Sequence, residues 1–430
     1  MTNKNLLILA PYFFPYENPR SRRVLKVVKT LDEAGFYIHI VCSKVAQKPP
    51  QLSERVSIYP VGFNAPKERF FQPEQPKSQD RSTSSSPWMA KLKQINNVVL
   101  KSIYWPDDSF TWVKDSYVKA EEIIHKYSID AVLSFSLPFA TILTGLKLKK
   151  NHPNLKWITD IGDPLHFQVD NPMNNTWLYN NKNRQVEQQA LIAADLNIVT
   201  NQGLREKYIS ELQIPENKLA VVGPFNQIGQ RVIKSKNTES IHLLFMGSFY
   251  PKIRRAQVLL EHLENLALES PNTQFQITLA GNLNHSDTKL FKNNPLIGKI
   301  TELKPYLDIA NSQKLIQEAD FLINLNNTTS FQLPSKCADY LASGLPIINI
   351  TQHTDDPSIV YFKNYPLCFH VTSKTSTKEL VQFIRSNKGQ LASEQAIESC
   401  LKESNPVYYK SLIVDVLKHE SKSQNSKKDV

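Results

Sequence analysis

Short apolar runs alternate with helix-patterned stretches along most of this chain, and few folds accept that rhythm. Leu6-Leu7-Ile8-Leu9-Ala10 has no polar alternation, the mark of a strand buried on both faces. A loop of Pro and aromatics follows, then a helical stripe of Val24, Val27, Val28 and Leu31. Ser21 is expected to cap that helix and Gly35 to end it. Residues 37–42 form the next strand. Strand, helix, strand is a βαβ unit, which implies a right-handed crossover and a parallel sheet. Further strands are expected at 131–135, 156–161, 196–200 and 220–222, with helices around 139–150, 184–194 and 203–211. The rhythm then repeats. Strands are expected at 241–245, 275–280, 321–325 and 347–350. Helices are expected at 258–268, 311–318, 334–343, 375–387 and 393–403. Two such runs of similar size imply an α/β chain of two doubly wound, Rossmann-like domains.

A chain of 430 residues is long for one hydrophobic core and comfortable for two. The first domain is expected over 1–225 and the second over 226–404. A C-terminal helix at 405–418 is expected to pack back on the first. Residues 226–240, rich in Lys, Asn and Gln, read as the linker. Residues 64–86 read as a flexible loop and 419–430 as a disordered tail. The formal net charge of +11 implies anionic partners. Nucleotides and anionic lipid fit. No nucleic-acid-binding motif occurs, so nucleic acid is set aside.

Cys42, Cys337, Cys368 and Cys400 include no CxxC pair, which fits reduced thiols in a cytosolic protein. The N-terminus opens into a strand without a signal-peptide pattern. No stretch approaches the roughly 18 apolar residues of a membrane span. Residues 88–103, with Trp88, Lys91, Lys93, Lys101 and Ile103, suit either an anionic lipid surface or a helix packed on the sheet. The charges do not segregate onto one face, which favours the helix.

The segment 334–350 carries the first chemical signal. It reads as a short helix that begins in a loop and stops at Gly344-Leu345-Pro346. Ser335 is expected as its N-cap. Ala338, Leu341, Ala342 and Leu345 share a buried stripe. The amides of Ser335, Lys336 and Cys337 then point at one spot beside the Lys336 ammonium, a place for an anion. Asp339 lies one turn on, about 6 Å along the axis. A phosphate at the tip and a sugar hydroxyl on that carboxylate are compatible with one nucleotide. The plain alternative is a capped core helix with a surface Lys and Asp.

A second anion site is expected where the strand at 241–245 ends, in Gly247-Ser248-Phe249-Tyr250-Pro251-Lys252-Ile253-Arg254-Arg255. Gly247 lets the backbone approach a ligand closely. Ligands of open α/β sheets bind outside the carboxyl ends of strands, where this loop lies. Guanidinium groups donate paired hydrogen bonds to a diphosphate. The alternative is a solvated basic turn. In the first half, Asp160-Ile161-Gly162-Asp163-Pro164 ends a strand. Its two carboxylates can orient hydroxyls or accept a proton, or form an Asx-turn with local caps. His166 nearby reads as structural. Arg20, Arg22 and Arg23 either meet a phosphate or are solvated at a helix start. No GxGxxG, P-loop, HExxH or GxSxG pattern occurs, and no bound metal is inferred.

Taken in order, these motifs resemble the GT-B glycosyltransferases of the family 4 type (glycosyl transferases group 1). Residues 7–15 with 21–24 resemble that family's first strand, loop and helix. Pro106, Asp107, Trp112 and Ala120 resemble the start of its next helix, and 134–139 and 160–164 its later loops. Residues 247–255 resemble the donor phosphate loop. Residues 334–346 resemble the helix that ends the Glu-x7-Glu signature. The resemblance covers most of the chain and implies two Rossmann-like domains facing a central cleft, with donor in the second and acceptor on the first. It implies retaining transfer of a sugar from a nucleoside-diphosphate sugar to a hydroxyl, with no cofactor and no metal. By resemblance, Arg254 and Lys252 stabilise the leaving diphosphate, and Asp160 and Asp163 position the acceptor. Gly247, Ser248, Arg255, Ser335 and Lys336 bind the donor, and Asp339 holds the ribose hydroxyls. The implied acceptor is a glycan or lipid-linked, as in surface polysaccharide or glycolipid synthesis. The implied location is the cytoplasm or the inner face of a membrane, with peripheral contact to anionic lipid.

Three positions depart from the family pattern. The second Glu of the signature is Asp339, the first is replaced by Phe331, and Ser248 stands where many members have Arg. A nucleotide-sugar epimerase of the same fold and a non-catalytic scaffold or partner subunit remain as alternatives.

Overall fold

The computed structural model describes residues 4–14, 18–44, 50–62, 99–226 and 239–418. The loop expected at 64–86, the stretch 88–98, most of the linker (227–238) and the tail (419–430) lie outside the described residues. Contacts divide the chain into two compact units. One is drawn from Met1–Thr200, Arg205–Val222 and Pro406–Val430, the other from Asn201–Leu204 and Gly223–Asn405.

Among the described residues, unit 1 holds a parallel sheet of seven strands. They are β1 (Asn5–Leu9), β2 (Tyr37–Ser43), β3 (Val56–Val61), β4 (Ile129–Phe135), β5 (Lys156–Ile161), β6 (Leu196–Val199) and β7 (Leu219–Val221), in the order β3-β2-β1-β4-β5-β6-β7. Helices α1 (Pro19–Glu33), α2 (Trp112–Lys126), α3 (Ala140–Asn151), α4 (Thr176–Ala193) and α5 (Gln202–Leu212) join them. The α1 stripe of Val24, Val27, Val28 and Leu31 is buried. Its cap differs from expectation. Asn18, not Ser21, caps the helix by accepting from the Ser21 amide, and Pro19 begins it. Proline has no amide to satisfy and a helical φ, so it suits the first turn.

Unit 2 holds six parallel strands in the order β10-β9-β8-β11-β12-β13. They are β8 (Ile241–Met246), β9 (Phe275–Ala280), β10 (Thr301–Lys304), β11 (Phe321–Leu325), β12 (Ile347–Ile350) and β13 (Cys368–Val371). The helices are α6 (Ala256–Glu269), α7 (His285–Lys292), α8 (Ile309–Glu318), α9 (Lys336–Ser343), α10 (Pro357–Tyr361), α11 (Thr377–Asn387) and α12 (Glu394–Leu401). Successive side chains of a strand face opposite ways. Leu243 and Phe245 accordingly pack with Leu259 and Leu263 of α6 and Ile384 of α11. Leu244 and Met246 pack with Leu315 of α8, Leu341 of α9 and Ile397 of α12. Covering both faces demands the unbroken apolar runs that mark these strands in the sequence.

The last helix, α13 (Pro406–Lys418), belongs to unit 1 and packs along α1. Tyr409 is buried there, its ring parallel to Phe135 with centroids 6.3 Å apart.

Candidate functional site

The strand order of unit 2 reverses between β8 and β11. Loops leaving the carboxyl ends of two such strands part there and leave a crevice for a ligand. Here they are 247–255 and 326–335, and the second leads into α9. Tyr340 of α9 joins them, because its hydroxyl accepts from the Met246 amide at 2.8 Å. Loop 326–335 is also stitched to the first, with the Thr328 amide donating to the Ile253 carbonyl at 2.8 Å. Gln352 Nε2, from the segment after β12, donates to the carbonyls of Ile253 and Asn326.

The β8 loop makes a tight turn. The amides of Tyr250 and Arg254 each donate to the other's carbonyl at 2.8 Å. That ladder leaves Lys252 exposed at the tip and Arg255 exposed just before α6, while Arg254 turns inward. Gly247 sits at the start, its amide donating to Ala280 at 2.9 Å, and the ring of Phe249 stacks on Phe245. The neighbouring Gly281 has φ 149, and a Cβ there meets the Gly247 carbonyl oxygen at 2.0 Å. We expect Gly281→Ala to cost about 3 kcal/mol from backbone strain and overpacking. A thermal melt reads this loss, and an unchanged melt contradicts the close approach of the two backbones.

Arg254 is 8% exposed. Its Nε has no hydrogen-bond partner, and its Nη1 reaches only the Ser248 carbonyl, at 3.5 Å. The guanidinium lies 5.6 Å from the Tyr250 ring centroid. Among the described residues no carboxylate forms an ion pair with it. Burial pulls its pKa down, against the pull of Tyr250, Cys337, Tyr340 and Asp356. An arginine stays charged in any protein setting. Among the described residues unit 2 therefore holds a buried cation with no direct ion pair, and with Asp356 acting on it only from beyond contact, at the carboxyl end of its central strand.

Helix α9 departs from expectation at its start. Ser335 has helical φ and ψ and makes no side-chain cap, because the turn continues back through it: the Cys337 amide already donates to the Pro334 carbonyl at 3.1 Å. The three amides expected to converge on an anion are therefore not all free. Gly344 closes the helix in the left-handed conformation, with φ 77. Lys336 Nζ lies 3.0 Å from Asp339 Oδ2, and Asn226 Nδ2 donates to Asp339 Oδ1 at 2.8 Å. Phe331, at the position of the missing first Glu, is buried, and its carbonyl accepts from Asn201 Nδ2.

Beneath these loops runs a buried polar network. Asn324 of β11 stands opposite Asn349 of β12 and donates to its Oδ1 at 2.7 Å. Asn326 donates to Asn349 Oδ1 and to Ser358 Oγ, and Ser358 donates to Asp356 Oδ1 at 2.7 Å. The second oxygen of Asp356 has no partner, and burial raises its pKa. These residues are absent from the sequence-based set of candidates. Their signal was an Asn inside each of two apolar strands, Phe321–Leu325 and Ile347–Ile350, where asparagine is depleted.

In unit 1, Asp160 lies at the carboxyl end of β5 and is 2% exposed. Arg20 Nη1 is 2.5 Å from its Oδ1, and Arg23 Nε donates to its Oδ2 at 2.8 Å. Burial alone raises its pKa, but the two guanidiniums outweigh burial and hold the carboxyl below the usual range. Arg23 also lies over the Tyr409 ring and donates to the Val222 carbonyl. Arg20, largely enclosed, and Arg23, buried, are thus ion-pair partners of Asp160 and not solvated side chains at a helix start. A carboxylate so held is a poor proton acceptor. Asp163, half-buried three residues on, lies in a loop pinned by Glu187. That carboxyl is fully buried and accepts from the amides of Leu165 and His166 and from Tyr208 Oη. The candidates therefore fall into two sets: the Gly247–Arg255 loop with α9 in unit 2, and Asp160 with Asp163 in unit 1.

Two parallel doubly wound sheets of this order define the GT-B fold. The chain is similar over nearly its whole length to solved structures of glycosyltransferases. Sucrose-phosphate synthase from Thermosynechococcus elongatus has a TM-score of 0.61 at 12% identity, covering 96% of this chain and 99% of that one. A glycosyltransferase from Rickettsia africae has 0.60 at 14%, covering 97% and 100%. HepE from Anabaena in complex with UDP has 0.59 at 12%, covering 96% and 99%. At such identities the likeness establishes the fold. No family model and no curated protein sequence matches the chain.

Proposed function

We propose that this protein is a retaining glycosyltransferase, moving a sugar from a nucleoside-diphosphate sugar to a hydroxyl on a glycan or lipid-linked acceptor. One observation carries the reading: Arg254, a buried guanidinium whose Nε has no hydrogen-bond partner and which makes no direct ion pair among the described residues, at the switch point of unit 2. A buried charge is costly until paired, and a diphosphate brings the missing charge and paired oxygens. Solved structures of the similar HepE contain UDP and UDP-glucose, which makes uridine nucleotides the first to try.

In this reading unit 2 binds the donor and unit 1 the acceptor. Arg254, with Lys252 at the turn's tip, takes the charge that builds on the leaving phosphate oxygens in the transition state, where fixed cations lower the barrier most. Gly247, Ser248, Arg255, Ser335 and Lys336 line the same side. Asp339 exchanges its contacts with Asn226 and Lys336 for the ribose hydroxyls. The acceptor oxygen bonds to the anomeric carbon as the bond to the diphosphate breaks, on the same face. The acceptor's proton passes to a donor phosphate oxygen. Asp163 orients the acceptor, and Asp160 acts through Arg20 and Arg23 as a positioning residue. The reaction so read needs no metal. Surface polysaccharide or glycolipid synthesis on the cytoplasmic side is the setting that suits it.

A ligand at one hundred times its Kd stabilises the folded state by about 2.7 kcal/mol. We expect at least one of UDP, GDP, ADP or their sugar conjugates to raise the melting temperature accordingly. If none does, the donor assignment fails.

A further inference from the structure

Asp356 caps α10 and is 1% exposed. Its Oδ1 accepts from the Ser358 amide at 2.9 Å and from Ser358 Oγ at 2.7 Å, while its Oδ2 has no hydrogen-bond partner. Three more buried polar atoms in the neighbouring loops lack a partner: Arg254 Nε, Asn327 Oδ1 and His353 Nε2. These loops are tied together at the Ile253 carbonyl, which accepts from the Thr328 amide and from Gln352 Nε2. Folded proteins leave few buried polar atoms unpaired. Four of them in the loops that follow β8, β11 and β12 mark a place that a ligand completes.

The electrostatics of that place turn on Asp356. Among the described residues, the titratable and charged groups that act on it are Arg254 from the β8 loop, His353 from its own segment and Cys337 from α9. Burial pushes the Asp356 carboxyl up, and Ser358, His353 and Arg254 pull it back. Burial pushes the Cys337 thiol well up, so it carries no charge. His370 of β13 stands behind Asn349, accepting from its Nδ2 at 2.8 Å, and burial holds its pKa down. Of these groups, Arg254 is the one that stays cationic at every pH.

We propose that a diphosphate reaching Arg254 drives a proton onto Asp356 Oδ2. The inference rests on the donor reading of Arg254 and adds a pH dependence to it. In the empty site the guanidinium and the carboxylate offset each other across a gap. A diphosphate pairs with the guanidinium and brings further negative charge. Losing the cation and gaining like charge both favour the neutral acid. The proton comes from solvent and takes the unpartnered oxygen, so both Ser358 hydrogen bonds to Oδ1 persist. Donor binding therefore weakens as pH rises, by up to about tenfold per pH unit for one coupled proton.

Isothermal titration calorimetry of the full chain with UDP-glucose, GDP-mannose and ADP-glucose is the test. The diphosphate of these conjugates keeps a constant charge near neutral pH, so a proton taken up goes to the protein. For a conjugate that binds, heats in buffers of low and high ionisation enthalpy should reveal net proton uptake. Asp356→Asn imitates the neutral acid and keeps a good helix cap. It should abolish the uptake, flatten the pH profile and bind the conjugate more tightly than wild type above neutral pH. An aspartate that served the fold alone would give weaker binding on substitution. His353→Gln should leave the uptake in place. The inference alone is overturned if a conjugate binds with the same heat in every buffer, if Asp356→Asn keeps the uptake, or if His353→Gln removes it. If none of the conjugates binds, the donor reading falls and the inference falls with it.

Discussion

Replacing Arg254 by Met abolishes the response to nucleoside diphosphates and leaves the ligand-free protein at least as stable as the wild type. The two halves of this expectation have one cause. In the ligand-free state the Arg254 guanidinium is buried, bonded only weakly to Ser248, and without a carboxylate in direct contact among the described residues. Methionine fills similar space without the desolvation cost, so stability should rise by on the order of 1 kcal/mol. With a diphosphate bound, the same guanidinium makes charge-assisted hydrogen bonds worth about 1.5–3 kcal/mol, so their loss weakens binding roughly 10- to 150-fold. Turnover should fall about 10²- to 10³-fold, as when a fixed donor to developing negative charge is removed. Thermal melts with and without nucleotide read both effects on one sample. A variant that melts lower but keeps its full nucleotide shift assigns Arg254 to the fold alone. Lys252→Ala is the control: this side chain is exposed, so stability should not move while turnover still drops.

Much of this architecture was legible in the sequence, and the failures share a cause. Strands buried on both faces, such as Leu6–Leu9 and Ile241–Met246, announce themselves as unbroken apolar runs. The strands that sequence reasoning missed, β3, β10 and β13, all lie at sheet edges and are largely half-exposed. Their patterns are diluted by polar side chains, and β3 even carries Pro60, which an edge tolerates. The loop 247–255 was legible as a candidate anion site because a strand end followed by Gly and basic residues has few other uses. Which cation turns inward was not legible. Lys252, Arg254 and Arg255 look equivalent in the sequence. Only the Tyr250–Arg254 ladder sorts them, and that depends on backbone pairing that no composition reveals. The role of Asp160 was hidden in the same way. Its partners lie 140 and 137 residues away, brought together by the adjacency of β4 and β5 to the start of α1.

That long-range pairing sets the second large expectation. Asp160→Asn leaves Arg20 and Arg23 buried without a counter-charge, which should cost about 3–5 kcal/mol. At about 2–4 °C per kcal/mol, the melting temperature falls by on the order of 10 °C. The pH dependence fixes the cause. The folded pKa of Asp160 is depressed, so its contribution is fully present above the unfolded carboxylate pKa of about 3.9. It is lost as pH falls through the lower folded value. The gap in stability between wild type and Asp160→Asn should therefore hold from neutral pH to about pH 4 and narrow below it. A gap that narrows near neutrality contradicts the ion pairs. Removing the whole cluster, with Asp160→Leu, Arg20→Met and Arg23→Met together, should recover most of the lost stability, because no charge is then left unpaired. The nucleotide shift should survive in both variants, since the residues proposed to bind the donor lie in unit 2. Asp163→Asn separates the two carboxylates: it should lower transfer without lowering the melting temperature. If Asp160→Asn instead melts like the wild type and only transfer is lost, Asp160 is itself the acceptor's partner, and the ion pairs with α1 carry little of the fold.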